Sequence, residues 1–170
     1  MAKTPIRDII EILSQHAEEC MDLLGSVVPM FLTTDKEDNV HYFFIPPGIS
    51  KTRAIKAMKE LVEETEAVQC VFVDEAWMLE RSCDVSREQI EEEASKPLEN
   101  NPDSIEIILF SAECEDEGYL VGRRNITRPE GGGRPYLEPM QLSNVPKIIG
   151  SLTGLLKMEK EADAQEKTNK

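Results

Sequence analysis

Residues 104–127 read SIEIILFSAECEDEGYLVGRRNIT, and this stretch decides the fold class. Two β-prone runs flank the short acidic turn ECEDEG. In the first run Ile105, Ile107 and Leu109 alternate with Glu106, Ile108 and Phe110, the period of a strand with two distinct faces. The second run, GYLVGRRNITR, follows too closely for a crossover helix. Strands joined by so short a turn pair antiparallel.

The neighbouring segments extend this sheet. VQCVFVDEAWML predicts a strand over about 68–79, and its lack of clean alternation suits a central strand covered on both faces. PMFLTT and VHYFFI, separated by DKEDN, predict a hairpin of about 28–34 and 40–45. After the glycine-rich turn PEGGGRP, YLEPMQL reads as a last short strand. Thr4 as N-cap and Pro5 at the first helical position open a helix whose apolar stripe is Ile6, Ile9, Ile10, Leu13, Ala17, Cys20 and Leu24, closed by Gly25. Ser50 caps a second helix over 51–66, with Ile55, Met58, Leu61 and Val62 inward. Ser86 with Gln89 forms a capping box for a short acidic helix over about 87–95. A final helix is predicted from about 144 to 158, with Gly150 and Gly154 on one face, before the polar tail 159–170. The expected fold is α+β: one domain over 1–158, a mainly antiparallel sheet of about five to six strands, and helices packed on one face.

The chain has 170 residues and a formal net charge of -14. Residues 1–59 hold 8 acids and 7 bases, residues 60–118 hold 19 and 3, and residues 119–170 hold 6 and 9. The acidic excess therefore belongs to the middle third. It argues against direct nucleic-acid binding, which needs a cationic footprint. No apolar run approaches the roughly 18 residues of a membrane span, and MAKTPIRDII lacks the apolar core of a signal peptide. Cys20, Cys70, Cys83 and Cys114 are far apart and form no CxxC pair, so neither a metal site nor a disulfide framework is expected. These features predict a cytoplasmic protein without membrane or cofactor.

Candidate functional residues lie in three places. Glu75 and Trp77 stand at the end of the central strand, and Trp77 is the only tryptophan; it reads either as a contact residue or as a core filler. Asp103 and Glu106 give the carboxylate pair of a magnesium-dependent nuclease, but Ile108 occupies the place where that chemistry wants a lysine. Arg123, Arg124, Arg128 and Arg134 surround Gly131-Gly132-Gly133. They suit a clamp for phosphate or carboxylate, or simply cross-strand pairs with acidic neighbours. His16 and His41 show no nucleophile or orienting partner at a useful spacing.

The segments DEAWM and ENNPDSIEIILFSAE resemble a family of uncharacterised bacterial and phage proteins. The matching positions are Glu75-Ala76-Trp77-Met78, Pro102-Asp103, Glu106 and Arg124-Asn125-Ile126. The resemblance spans roughly residues 68–140. It implies a bacterial or phage source and no particular activity.

The function expected is a non-enzymatic acidic binding protein, a phage or mobile-element accessory or inhibitor. It would dock its acidic middle segment on the basic surface of a nucleic-acid-binding protein. The alternative is a small-ligand-binding or metal-dependent hydrolytic site where Trp77, Asp103 and Glu106 meet the Arg123–Arg134 hairpin. A third reading is an oligomer subunit assembled through the sheet edge or the last helix.

Overall fold

The computed structural model describes residues 3–80, 84–145 and 155–156. In chain order the elements are α1 (Ile6–Leu24), β1 (Met30–Thr34), β2 (Val40–Phe44), α2 (Lys51–Glu64), β3 (Gln69–Leu79), α3 (Arg87–Ala94), β4 (Ser104–Cys114), β5 (Gly118–Thr127), β6 (Tyr136–Leu137) and β7 (Gln141–Val145). A 3-10 turn, Leu98–Asn100, leads into β4. The strands form one antiparallel sheet in the order β2-β1-β3-β4-β5-β6, with β7 also on β5. The α+β class and the antiparallel sheet agree with the sequence, with seven strands among the described residues.

The stretch 104–127 is the long hairpin β4–β5, paired from Cys114–Gly118 at the turn to Ile107–Asn125. β3 lies on the other side of β4, pairing along its full length from Gln69–Cys114 to Leu79–Ser104. Gln69 to Val73 are all buried, as the unalternating VQCVFV run requires.

The helices do not share one face. On α1, Ile6, Ile9, Ile10, Leu13, Ala17 and Met21 pack with Val71, Val73, Ile108, Phe110, Leu120 and Ile126. On α2, Ala54, Met58 and Val62 pack with Phe31, Cys70 and Phe72. Successive strand residues point to opposite faces, so these are two cores on two sides of the sheet. The reason lies in the connection. β2 and β3 both pair antiparallel with β1, so they run parallel to each other. Parallel strands in one sheet need a crossover, and α2 makes it over the face that α1 leaves bare.

Two other expectations are corrected. Thr4 is not the cap of α1; Pro5 holds that place with no side-chain cap. Thr4 instead donates its amide and hydroxyl to the Asp38 carboxylate, at 3.1 and 2.6 Å, and so ties the chain start to the β1–β2 turn. The final helix does not start at 144, because Asn144 and Val145 belong to β7. Leu155 and Leu156 form a buried turn; the rest of that predicted helix and the tail 159–170 lie outside the described residues.

The expected last strand is split into β6 and β7. Ile126 pairs with Leu137 and Thr127 with Tyr136, whereas Arg123 pairs with Gln141 and Tyr119 with Val145. The register slips by one residue between these sets, which makes a bulge at Glu138-Pro139-Met140. Pro139 lacks the N–H that a continuous ladder needs there.

The β1–β2 turn carries a pH dependence. Asp35 accepts the amides of Glu37 and Asn39 on Oδ1, at 3.0 and 2.9 Å, and the Asn39 side chain on Oδ2 at 2.9 Å. The Asn39 side-chain bond is the main cause that lowers Asp35, and the Thr4 side-chain bond does the same for Asp38. A carboxylate lowered by folding contributes stability above its ordinary value near 4, lost as pH falls through the folded value. Amide exchange at Glu37 and Asn39 is therefore expected to accelerate as pH drops below about 4, beyond the ordinary pH dependence of exchange. In Asp35→Asn protein this excess should vanish.

Candidate functional site

The end of the sheet beyond the α1 C-terminus gathers four of the eight candidate residues. Trp77 pairs with Glu106 across β3 and β4, which puts both on the α1 side of the sheet together with Glu75. Arg128, just after β5, grips Glu106 through two bonds, Nε to Oε2 at 2.8 Å and Nη2 to Oε1 at 2.7 Å. Its Nη1 also donates to the Gly25 carbonyl at 3.3 Å. Gly25 ends α1 in the left-handed conformation, φ 72°, where glycine carries no steric cost. Glu75 accepts the Val27 amide at 2.5 Å. Trp77 is 41% exposed, so it is not a core filler.

The charges here close on each other. Glu106 raises Arg128 above its ordinary value, the signature of a satisfied ion pair. Arg128→Ala is expected to cost about 1 kcal/mol, because a bidentate pair in good geometry exceeds a typical surface bridge only modestly. The urea midpoint reads that change.

The other four candidates go elsewhere. Arg124 is buried beneath α1. Its Nε donates to the Glu138 carbonyl at 2.7 Å and its Nη2 to the Leu137 carbonyl at 3.2 Å. Its Nη1 reaches Ser14 Oγ at 3.2 Å and Glu18 Oε2 at 2.9 Å. Arg123 points to the opposite face, bonded to Gln141 at 2.8 Å and paired with Glu80 at 2.5 Å. Asp103 lies in the exposed turn before β4, where its amide donates to Asn101 Oδ1. Arg134 is exposed in the glycine-rich connection between β5 and β6.

A second locus surrounds the β4–β5 turn. Glu113, Glu115, Asp116, Glu117, Tyr119 and Leu156 line a cleft of about 390 Å³. Behind it the buried Glu113 carboxylate accepts the Leu155 and Leu156 amides, at 3.3 and 3.2 Å. This pins the 155–156 turn onto the α2-side core. Glu113 pairs across the strands with Cys70, and burial, then Glu113, push the Cys70 thiol well up. Cys20, 3.5 Å from His16 Nε2, is likewise raised, first by burial and then by Glu19. Raised thiols are the opposite of an activated nucleophile.

A third locus had no counterpart among the sequence candidates. On α1, Ile12, His16, Cys20 and Leu23 recur at helical spacing on the flank beside β2, and Ile12 and Leu23 are 62% and 84% exposed. His16 meets the Phe44 ring at 6.3 Å, and Phe44 meets Tyr42 edge-on at 5.8 Å. Val40, Tyr42 and Phe44 are exposed and share the α1 side of β2. The signal was present in VHYFF, whose alternate residues are all apolar at a sheet edge.

Comparison of the chain with known family models, curated proteins and solved structures finds no match in any of the three. The site must be read from its own chemistry. Among the described residues no group of three His, Cys, Asp or Glu side chains is placed to hold a metal ion. No described helix is long and apolar enough to cross a membrane.

Proposed function

We propose that the protein is a non-enzymatic acidic binding protein that works in the cytoplasm by docking on a basic protein surface. One observation carries this reading: among the described residues eight cations are paired within the chain, while Lys51, Arg53, Lys59 and Arg134 stay outside such pairs and α1 presents four unpaired acids. Arg123, Arg124, Arg128, Arg87, Lys96, Lys56, Lys36 and Lys3 all sit in ion pairs with this chain's own carboxylates. Against them Asp8, Glu11, Glu19 and Asp22 are exposed on α1, outside any such pair among the described residues. A surface with this imbalance steers cationic partners and repels phosphate backbones.

The sequence assigned the docking face to the middle third, 60–118. Glu75, Glu106 and Glu113 of that segment serve inside the fold, while most of its other acids, among them Glu63, Glu64, Glu115, Asp116 and Glu117, are exposed. The outward acids of α1 add a second acidic face to that of the middle segment. A role as phage or mobile-element accessory or inhibitor rests on the resemblance around Glu75–Met78 and Pro102–Glu106. The ligand-binding or hydrolytic alternative draws little support from the geometry, since Arg123 faces away from Trp77 and Glu106 and Arg128 satisfy each other.

Affinity capture from the native host at low and high salt tests the proposal. A basic protein retained at low ionic strength and released at high ionic strength is expected, because exposed charge pairs are screened within about 10 Å at 0.1 M salt. Recovery of no basic protein at low salt contradicts it.

A further inference from the structure

We propose that the trough between α1 and β2 receives a basic amphipathic helix presented by the partner protein. This rests on the basic-partner reading and names the element that docks. The floor is Val40, Tyr42 and Phe44, and the wall is the Ile12–His16–Cys20–Leu23 flank of α1. α1 packs over β3 and β4, so the sheet continues past it through β1 to the edge strand β2. Strands are spaced about 4.8 Å apart and packed helices about 8–10 Å. A helix laid beside α1 therefore falls directly over β2, where exposed aromatic side chains already stand.

The charge at the rim selects the occupant. Asp8 and Glu19 stand on the outward ridge of α1 next to the apolar flank, with Asp22 further round, whereas Glu11 lies on the opposite flank beside Arg7 and Arg124; all four acids are exposed. None has an ion pair among the described residues. Glu19, next in sequence to Cys20, brings a carboxylate to the edge of the trough. A helix with an apolar stripe and flanking lysines or arginines matches both features, in the helix-in-groove manner. A second copy of this chain does not, because its own α1 brings the same ridge acids to the contact.

The test uses the full chain and a fluorescein-labelled peptide of about 18 residues, with leucine at helical i, i+3, i+4 spacing and lysine elsewhere. A scrambled peptide of the same composition, without the apolar stripe, is the reference. Fluorescence anisotropy is expected to show the amphipathic peptide binding about tenfold or more tightly than the scrambled one. The Tyr42→Ser/Phe44→Ser double variant should lose that advantage while staying folded with a cooperative melt only a few degrees lower, since both side chains are largely exposed. Glu19→Lys/Asp22→Lys should weaken binding several-fold at low salt and flatten its salt dependence. Equal affinity for the two peptides, or unchanged affinity in the Tyr42→Ser/Phe44→Ser protein, overturns the trough while leaving a basic partner in place. A dimer of the unliganded protein that dissociates in that variant also overturns it, by giving the trough to a second copy. Failure of either peptide to bind at low salt contradicts the trough and the basic-partner reading together.

Discussion

Replacing Arg124 by methionine is expected to destabilise the protein by about 3 kcal/mol, because hydrogen bonds to a buried charged group contribute roughly 1.5–3 kcal/mol each and their unmatched partners stay buried. Arg124 is only 8% exposed. It joins three parts of the fold through one guanidinium: the Leu137 and Glu138 carbonyls at the bulge, Ser14 and Glu18 on α1, and its own strand β5. The bulge leaves those two carbonyls turned away from the β5 ladder, and the arginine fork satisfies both. Methionine fills similar volume but offers no donor. Arg124→Lys should recover little, since an ammonium cannot span four acceptors with planar geometry. Urea unfolding with an unchanged m-value reads the effect directly. Arg123→Met, one residue away on the other face, is expected to cost under about 1 kcal/mol, because its Glu80 partner is largely exposed. Equal losses for the two variants contradict the assignment of Arg124 as the tie between α1 and the bulge.

Phe110→Ala is expected to cost about 3–5 kcal/mol, the range for deleting a fully buried aromatic ring. Phe110 is fully buried at the centre of the α1-side core. Its cross-strand neighbour is Gly122, whose missing side chain lets Met140, Leu142 and Phe110 meet. A Cβ on Gly122 would stand 3.1 Å from Met140 Sδ and 3.3 Å from both Leu142 Cδ1 and Phe110 Cβ. Gly122→Ala should therefore destabilise too, by about 1 kcal/mol, since the Met140 side chain can move. In a Met140→Ala background that penalty is expected to shrink, because the closest contact, Met140 Sδ, is then gone and residues in contact do not add. Chemical denaturation of the Gly122→Ala and Met140→Ala single variants and the double variant decides the point. Strict additivity would argue against the close packing of Gly122 on Met140.

The local elements were legible because their signals are local. The Ser86–Gln89 capping box forms as its spacing predicts, Ser50 accepts the Arg53 amide, and the 104–127 hairpin follows from alternation and a short turn. What the sequence hid depends on tertiary register. Val71 and Phe72 are adjacent and equally apolar, and only the crossover of α2 sends one to each core. Arg124 and Arg123 are adjacent and chemically identical, yet strand pleating buries one beneath α1 and points the other away. The bulge at Pro139 turns one expected strand into two and supplies the carbonyls that Arg124 binds. Leu24 continued the apolar stripe by spacing, but α1 ends there and leaves it exposed. The candidate site was half legible. Glu75, Trp77, Glu106 and Arg128 do meet at one end of the sheet, while the trough beside β2 went unrecognised because apolar residues in a strand look like core.

Residue-resolved amide shifts during titration with the captured basic partner test the docking account most directly. Shifts concentrated on Asp8–Leu23 of α1 and Val40–Phe44 of β2, fading as salt is raised, are the predicted result. Shifts confined to the Trp77–Arg128 end of the sheet, or insensitive to salt, would contradict it.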